Sequence, residues 1–318
     1  MTVVQRLGGL VDHALDVAVA PGYTRVGLAV RQHLPGWPAD PPRLDGAHVI
    51  VTGTSSGLGA ATAAGLADLG AHVHLVVRDP DKGRAVAADL GIEAASTTWR
   101  CDVSDLDDVE RLARELLSSG VRFSGVVHNA GSMPPVRTES AQGHELTMAL
   151  HVLGPVLLTE LLLPALDTAR IVLVTSGGMY AQRLRADDPD YHRGTYSPTT
   201  AYARSKRAQV ELLPRLQARW GARGHVVGAT HPGWADTPGV ADSLPTFRRV
   251  VGPLLRDAEA GADTTTWFTA TRPDPEGGRL WHDRHPRPTT WLGRNAASEQ
   301  DRARLWDWVV EQALAGRS

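Results

Sequence analysis

The sequence predicts an α/β protein: a doubly wound parallel sheet of about seven strands, with helices on both faces and a helical arm ahead of it. Three observations carry this. First, the apolar, β-branched run His48 to Val51 is followed by Gly53, Gly57 and Gly59, then by an alanine-rich helix ending at Gly70. Second, strand-like and helix-like stretches alternate from residue 46 onward, the pattern of parallel strands joined by right-handed crossovers. Third, residues 1–45 lack that rhythm and close on the proline-rich run Pro35 to Pro42.

In the first 45 residues, Val3 to Ala20 and Tyr23 to Leu34 read as short helices interrupted at Pro21-Gly22. They form an arm expected to pack on the domain or on a partner; residues 46–318 form a single catalytic domain. Strands are predicted over His48–Val51, His72–Val77, Ser96–Cys101, Ser124–His128, Arg170–Thr175 and His225–Thr230, with a last one in Gly278–His282. Helices are predicted over Gly57–Leu69, Asp81–Leu90, Asp105–Leu117, Ser140–Leu166 and Thr200–Trp220. Pro155 should kink the fourth of these. Asn295 to Leu314 reads as a closing amphipathic helix with Leu305, Trp308, Val309 and Leu314 on one side.

Composition bounds the function. A chain of 318 residues, 42% hydrophobic and 21% charged, can bury a sizeable core. Its net charge of -2 provides no basic field for nucleic acid. Cys101 is the only cysteine, so no intramolecular disulfide forms and a reducing cytoplasm is the expected compartment. No run is expected to reach the ~18 apolar residues of a membrane span, and Asp12, His13 and Asp16 interrupt the one apolar stretch near the start. Lys82 and Lys206 are the only lysines among 33 basic residues, a hint that Lys206 is retained for chemistry.

The glycine-rich turn between strand and helix is a phosphate cradle. Glycine lets backbone approach a ligand closely, and the helix start offers amides and a positive dipole end. Past the second strand, Val77 stands where a carboxylate would select the ribose 2′-OH of NAD, and Arg78 follows. That pair favours the 2′-phosphate of NADP(H); the alternative is a surface arginine paired with Asp79. Asp102, in Cys101-Asp102-Val103, either accepts from an adenine amino group or serves a turn. Asn129, Ala130 and Gly131 end the fourth strand as small residues where backbone passes close to the ribose or nicotinamide.

Tyr202-Ala-Arg-Ser-Lys206 is the catalytic candidate. Positions i and i+4 share a helix face. An ammonium there favours the phenolate, bringing a tyrosine that titrates near ~10 toward neutral pH. Ser176, at the end of the fifth strand, supplies a hydroxyl to orient a carbonyl. His282 and His285 lack a third convergent ligand, and no metal is called for. The segment Tyr180 to Thr199 is either part of a substrate wall or a solvated loop, and Leu244 to Leu255 stands where a lid could close.

Thr52-Gly53-x-x-x-Gly57-x-Gly59, Asp102, Asn129-Ala130-Gly131, Ser176, Tyr202-x-x-x-Lys206 and Pro232-Gly233 together resemble the short-chain dehydrogenase/reductase family, over residues 46 to about 290. Longer runs, Thr175–Met179, Thr230–Val240 and Glu259–Asp263, are similar to one branch of it, the member 12 type. The resemblance implies a Rossmann-type fold and a small-molecule alcohol or carbonyl substrate. It implies Tyr202 as acid/base, Lys206 on the tyrosine and the nicotinamide ribose, and Ser176 on the substrate oxygen. Gly53, Ser55, Ser56, Gly57, Leu58 and Gly59 would line the pyrophosphate; Pro232, Gly233 and Thr237 would lie along the nicotinamide.

His151 departs from the pattern, standing where the family has an asparagine that holds a water in a proton relay. It either keeps the relay in neutral form, with a histidine-like loss of rate at acid pH, or merely packs. Two other classes stay open: a nucleotide-binding sensor without turnover, and a membrane-peripheral enzyme on lipid-like carbonyls using residues 1–34 as its foot. A homo-oligomer is compatible with all three.

Overall fold

The computed structural model describes residues 3–18, 20–237, 239, 245–290 and 295–317. Among them eight strands form one sheet: β1 (His48–Thr52), β2 (His72–Val77), β3 (Ser96–Arg100), β4 (Phe123–His128), β5 (Leu166–Val174), β6 (Val226–Thr230), β7 (Arg279–His282) and β8 (His285–Arg287). Their order is β3-β2-β1-β4-β5-β6-β7-β8. The first seven run parallel; β8 turns back antiparallel on β7. The chain winds outward from β1 to β3, then returns to β4 on the other side of β1. That reversal opens a crevice at the carboxyl ends of the strands.

Side chains alternate across the sheet and build a core on each face. Val49 and Val51 join Ala63, Leu66, Trp267 and Phe268 under the helices Gly57–Asp68 and Ala258–Ala270. Ile50 points the other way, to Leu112, Leu157 and Leu216 of the helices Leu106–Ser118, Gly154–Leu162 and Pro198–Gly221. Each such aliphatic side chain, fully removed from water, stabilises the fold by about 1.5–3 kcal/mol.

Three expectations need correction. The helix predicted from Ser140 begins only at Leu146. Gly143 takes φ +84°, Ser140 N–H closes a turn onto the His144 carbonyl, and the Glu145 carboxylate caps the amides of Thr147 and Met148. Second, Pro155 is accommodated by a π-turn over Ala149–Leu153, after which Gly154–Leu162 starts afresh. Proline then falls in a first turn, where its missing N–H costs nothing. Third, Leu146–Ala165 is long and apolar enough by composition to cross a membrane, contrary to the sequence expectation; most of it is buried inside the fold. The closing helix is shorter than predicted, Glu299–Val309 followed by a π-turn; of the expected apolar side Leu305 and Val309 are buried, while Trp308 and Leu314 are half-buried against the same core. Leu244, at the start of the expected lid, lies outside the described residues, as do Pro238 and Val240.

The arm is fastened to the far end of the sheet. Arg31, 2% exposed, donates to Asp12, to the Gly22 carbonyl and to Asp283 at 2.7 Å each. Arg256 holds Asp283 from the other side at 2.6 and 3.0 Å, and Arg287 takes Asp12 at 2.7 and 2.9 Å. Asp283 is itself 0% exposed, and its carboxyl is held far below the usual range by the opposing arginines and His282 despite its burial. A buried charge is tolerated only when paired this fully. The His282–His285 run therefore serves the arm: its Asp283 is spent on two guanidinium groups.

Candidate active site

The cradle sits where the crevice opens. Gly53 takes φ +73°, and a Cβ there would lie 2.6 Å from the Ala130 Cα. A Cβ on Gly59 would lie 2.2 Å from the Gly53 carbonyl oxygen and 2.4 Å from Asn129 Nδ2. Both positions therefore require glycine. The Asn129 amide donates to the carbonyls of Thr52 and Gly53 at 3.0 and 3.2 Å, and Thr52 Oγ1 accepts from the amides of Asn129 and Ala130 at 3.0 Å. Asn129 thus stitches the end of β4 to the glycine turn rather than merely sparing space. Ser56, at the N-cap of Gly57–Asp68, makes no side-chain cap, and Ser55 and Ser56 are exposed, with Gly57 and Leu58 half-buried. An uncapped helix start behind a side-chain-free turn fits the pyrophosphate of a dinucleotide.

The second half of the site rides on Pro198–Gly221. Ser197 caps that helix through the Thr200 amide and Pro198 occupies its first turn, so Tyr202 and Lys206 stand one turn apart. Tyr202 interacts with the Ser176 side chain, at the carboxyl end of β5. Lys206 is buried and donates to the Val174 carbonyl at 2.8 Å; its Nζ lies 5.6 Å from the centre of the Tyr202 ring. His151 closes the other side, its ring edge-on to Tyr202 at 5.3 Å, and a Cβ on Gly131 would lie 3.2 Å from its Nε2. The nucleotide cradle, the tyrosine and the serine thus meet at one place.

The electrostatics differ from the simple picture of a lysine acidifying a tyrosine. Burial raises the Tyr202 pKa above its ordinary value, and the Ser176 side chain draws it back down. Burial brings Lys206 down to about 7, so near neutrality it is only partly charged. Desolvation weakens the ammonium before it can act on the phenol. Burial, reinforced by Lys206, also pushes His151 well below the usual histidine range. It is neutral at physiological pH, which removes the expected histidine-like titration at this residue.

Other predicted residues fall as follows. Arg78 is exposed at the end of β2, and Asp79 caps the helix Pro80–Asp89 through the amides of Asp81 and Lys82 instead of pairing with it. Asp102 takes the turn role: its Oδ1 accepts from the Ser104 amide and hydroxyl at 2.9 and 2.6 Å. Val103 is buried, its carbonyl oxygen 2.0 Å from where a Cβ on Gly154 would stand. Pro232 and Gly233 are buried and Thr237 is half-buried. The Tyr180–Thr199 segment is no solvated loop: Asp190 accepts from the Glu145 amide at 3.0 Å, and Arg204 stacks over Tyr191 at 3.7 Å. The described part of the expected lid, helix Pro245–Val251, is tied down through Arg248 to Asp236 at 2.7 and 3.0 Å.

Sequence reasoning missed three participants. Ser205, inside the Tyr202–Lys206 motif itself, bonds His151 and the Tyr202 carbonyl, both at 2.8 Å. Gln209, one turn on, donates to the His151 carbonyl at 2.8 Å. Both lie on the helix face of Tyr202 and Lys206, a signal the i, i+3, i+7 spacing could have provided. His231 precedes Pro232-Gly233 and accepts from the Gly233 amide at 2.7 Å.

A nucleotide cradle facing a Ser–Tyr–Lys cluster at a sheet switch point defines a class, and comparison agrees: the short chain dehydrogenase family model matches residues 47–246, and the chain belongs to that family. It is an oxidoreductase, of a family that binds NAD(P). Among its relatives, dehydrogenase/reductase SDR family member 12 of Bos taurus is 34% identical, over 85% of this chain and 87% of that protein. Polyprenol dehydrogenase of Mus musculus is 34% identical, over 85% of this chain and 84% of that protein. A crystal structure of an uncharacterized protein from Mycobacterium paratuberculosis superposes with a TM-score of 0.70 at 30% identity, covering 86% of this chain and 96% of that one.

Proposed function

We propose that the protein is an NADP(H)-dependent oxidoreductase that moves hydride between nicotinamide and a small alcohol or carbonyl. The observation that carries the reading is the pairing of Tyr202 with Ser176, which lowers the tyrosine pKa, at the mouth of the glycine cradle, with Lys206 buried behind it. The cofactor, when bound, supplies or takes the hydride. Ser176 orients the substrate oxygen, and Tyr202 donates its hydroxyl proton to that oxygen in reduction and recovers it in oxidation. Lys206, held by the Val174 carbonyl, sits where a change of its charge biases that proton. The preference for NADP(H) rests on Val77 and Arg78: the buried valine offers no acceptor to a 2′-OH, and the exposed arginine is open to a phosphate.

Screening a panel of aldehydes, ketones and alcohols with both cofactors tests the reading. Oxidation of NADPH by at least one carbonyl supports it; no turnover with either cofactor in either direction overturns it. A second reading, attachment to a lipid surface through the arm, is favoured by one observation: Leu7 and Leu10 are 58% and 66% exposed on the first helix. Co-sedimentation of the full chain with liposomes, compared with a Leu7→Ser, Leu10→Ser variant, tests it.

A further inference from the structure

We propose that Tyr23, on the N-terminal arm, is a positioning residue of the hydride-transfer site, setting the spacing between the Ser176 turn and the Pro232-Gly233 segment. This rests on the oxidoreductase reading above.

Tyr23 is 5% exposed and lies where those two segments meet. Its ring stacks on His231 at 4.6 Å and 14°, and meets His282 edge-on at 4.9 Å. Its carbonyl accepts from the Trp234 amide at 2.7 Å, and its hydroxyl is close enough to Tyr180, whose own hydroxyl donates to the Pro288 carbonyl at 2.8 Å, to perturb it electrostatically. Through Trp234 it holds the segment carrying Pro232 and Gly233; through its ring, stacked on His231, it meets the turn Gly177–Ala181 that follows Ser176.

His231 is the spacer between them. Its Nδ1 accepts from the Gly233 amide, so the neutral ring carries its proton on Nε2. That nitrogen is buried with no hydrogen-bond partner among the described residues, and a Cβ on Gly177 would lie 2.8 Å from it. Hydrogen bonding fixes one edge of the imidazole only. The plane of the ring, and with it the approach of Gly177 and Ser176 to Gly233, is set by the face of Tyr23, with His282 meeting the same imidazole edge-on at 4.9 Å.

Tyr23 is in turn held from both sides. The Gly22 carbonyl accepts from Arg31 at 2.7 Å and from Arg256 at 3.3 Å, and the Thr24 carbonyl accepts from Arg256 at 3.3 Å. Arg256 also bridges to the cofactor-lining segment, its amide donating to the Trp234 carbonyl and its carbonyl accepting from Asp236, both at 2.8 Å. The buried Arg31–Asp283–Arg256 cluster thereby aims an aromatic ring into the site. A purely structural arm would need neither carbonyl-by-carbonyl anchoring around one residue nor a ring stacked beside the catalytic turn.

The test uses the full chain with Tyr23→Phe, Tyr23→Leu and His231→Leu. Three quantities are read: reduction of phenanthrenequinone by NADPH, the emission of nicotinamide on binding, and the affinity for adenosine 2′-phosphate, which lacks nicotinamide. Tyr23→Leu should lower kcat about tenfold and diminish the nicotinamide emission change, with KM and adenosine 2′-phosphate affinity within about twofold. Tyr23→Phe, which keeps the stack, should restore kcat to within about twofold of the unmodified protein. Unchanged kcat and nicotinamide emission in Tyr23→Leu, whatever its melting temperature, overturn the proposal. If Tyr23→Leu does not fold, His231→Leu decides: it removes the ring on which Tyr23 stacks together with the Gly233 bond, and normal kcat and emission overturn the proposal equally. An unmodified protein that binds NADPH yet reduces no carbonyl defeats the oxidoreductase reading, while the nicotinamide emission still decides the role of Tyr23.

Discussion

His151 Nδ1 lies 2.8 Å from Ser205 Oγ, and Ser205 Oγ donates to the Tyr202 carbonyl at 2.8 Å. The serine proton is spent on that carbonyl, so the neutral imidazole must donate from Nδ1 and present Nε2 as a lone-pair acceptor. That acceptor is buried, faces Gly131 and has no partner among the described residues. A buried acceptor is costly unless something donates to it, which favours a water held in a relay over plain packing. His151→Asn should keep most of the activity, whereas His151→Leu should lower kcat severalfold with cofactor affinity nearly unchanged. Equal pH–rate profiles for the Leu variant and the unmodified protein would show that the proton takes another route.

Tyr202→Phe removes one hydroxyl and no packing. Turnover should vanish while cofactor affinity, titrated by fluorescence, stays within about twofold. Lys206→Ala should weaken both, because Lys206 lies beside the Tyr202 ring and the family resemblance assigns it to the nicotinamide ribose as well. Near-normal turnover of the phenylalanine variant would move the acid/base elsewhere.

On the proposed reading, cofactor choice turns on Arg78. NADP(H) should bind at least about tenfold tighter than NAD(H), a difference of about 1.4 kcal/mol. Arg78→Ala should erase most of that margin, since the Asp79 carboxylate is already committed to its helix cap. Equal affinities of the unmodified protein for the two dinucleotides contradict the assignment.

Lys206 also leaves a mark on stability. Its pKa falls from 10.5 to about 7 on folding, so between these values the unfolded chain binds the proton and the native protein does not. Stability must then rise with pH through that window, and the burial penalty is felt in full below about pH 7. Denaturant midpoints of the cofactor-free protein should climb from neutral toward alkaline pH relative to a Lys206→Met variant, which lacks the term. Parallel curves for the two proteins would show that Lys206 titrates normally.

What could be read from the sequence was what neighbouring residues decide. Strand β2 runs His72–Val77 as its β-branched pattern predicts, and the glycine turn and the Tyr202–Lys206 face follow from local spacing. The start of the helix at Leu146 depends on a glycine turn and a glutamate cap that a periodic apolar run conceals. Strand β8, His285–Arg287, is too short to show alternation. The place of the arm depends on Arg31 meeting Asp283 across 252 residues, which no local pattern encodes. The charge states of Tyr202 and Lys206 are not legible in the sequence for a related reason: proximity is visible along a helix, but burial is a property of the whole fold.

The π-turn Ala149–Leu153 gives the chain a sensitivity to length rather than to composition. A π-turn holds one residue more than the α-helical turn it replaces, and each α-helical residue advances the backbone by about 100°. Deleting a single codon in this stretch would let the segment wind as ordinary α-helix and swing His151 away from Ser205, with every other active-site residue still encoded. An inserted codon would rotate it the opposite way. Reading-frame-preserving indels here should therefore inactivate the protein more often than conservative substitutions at the same five positions.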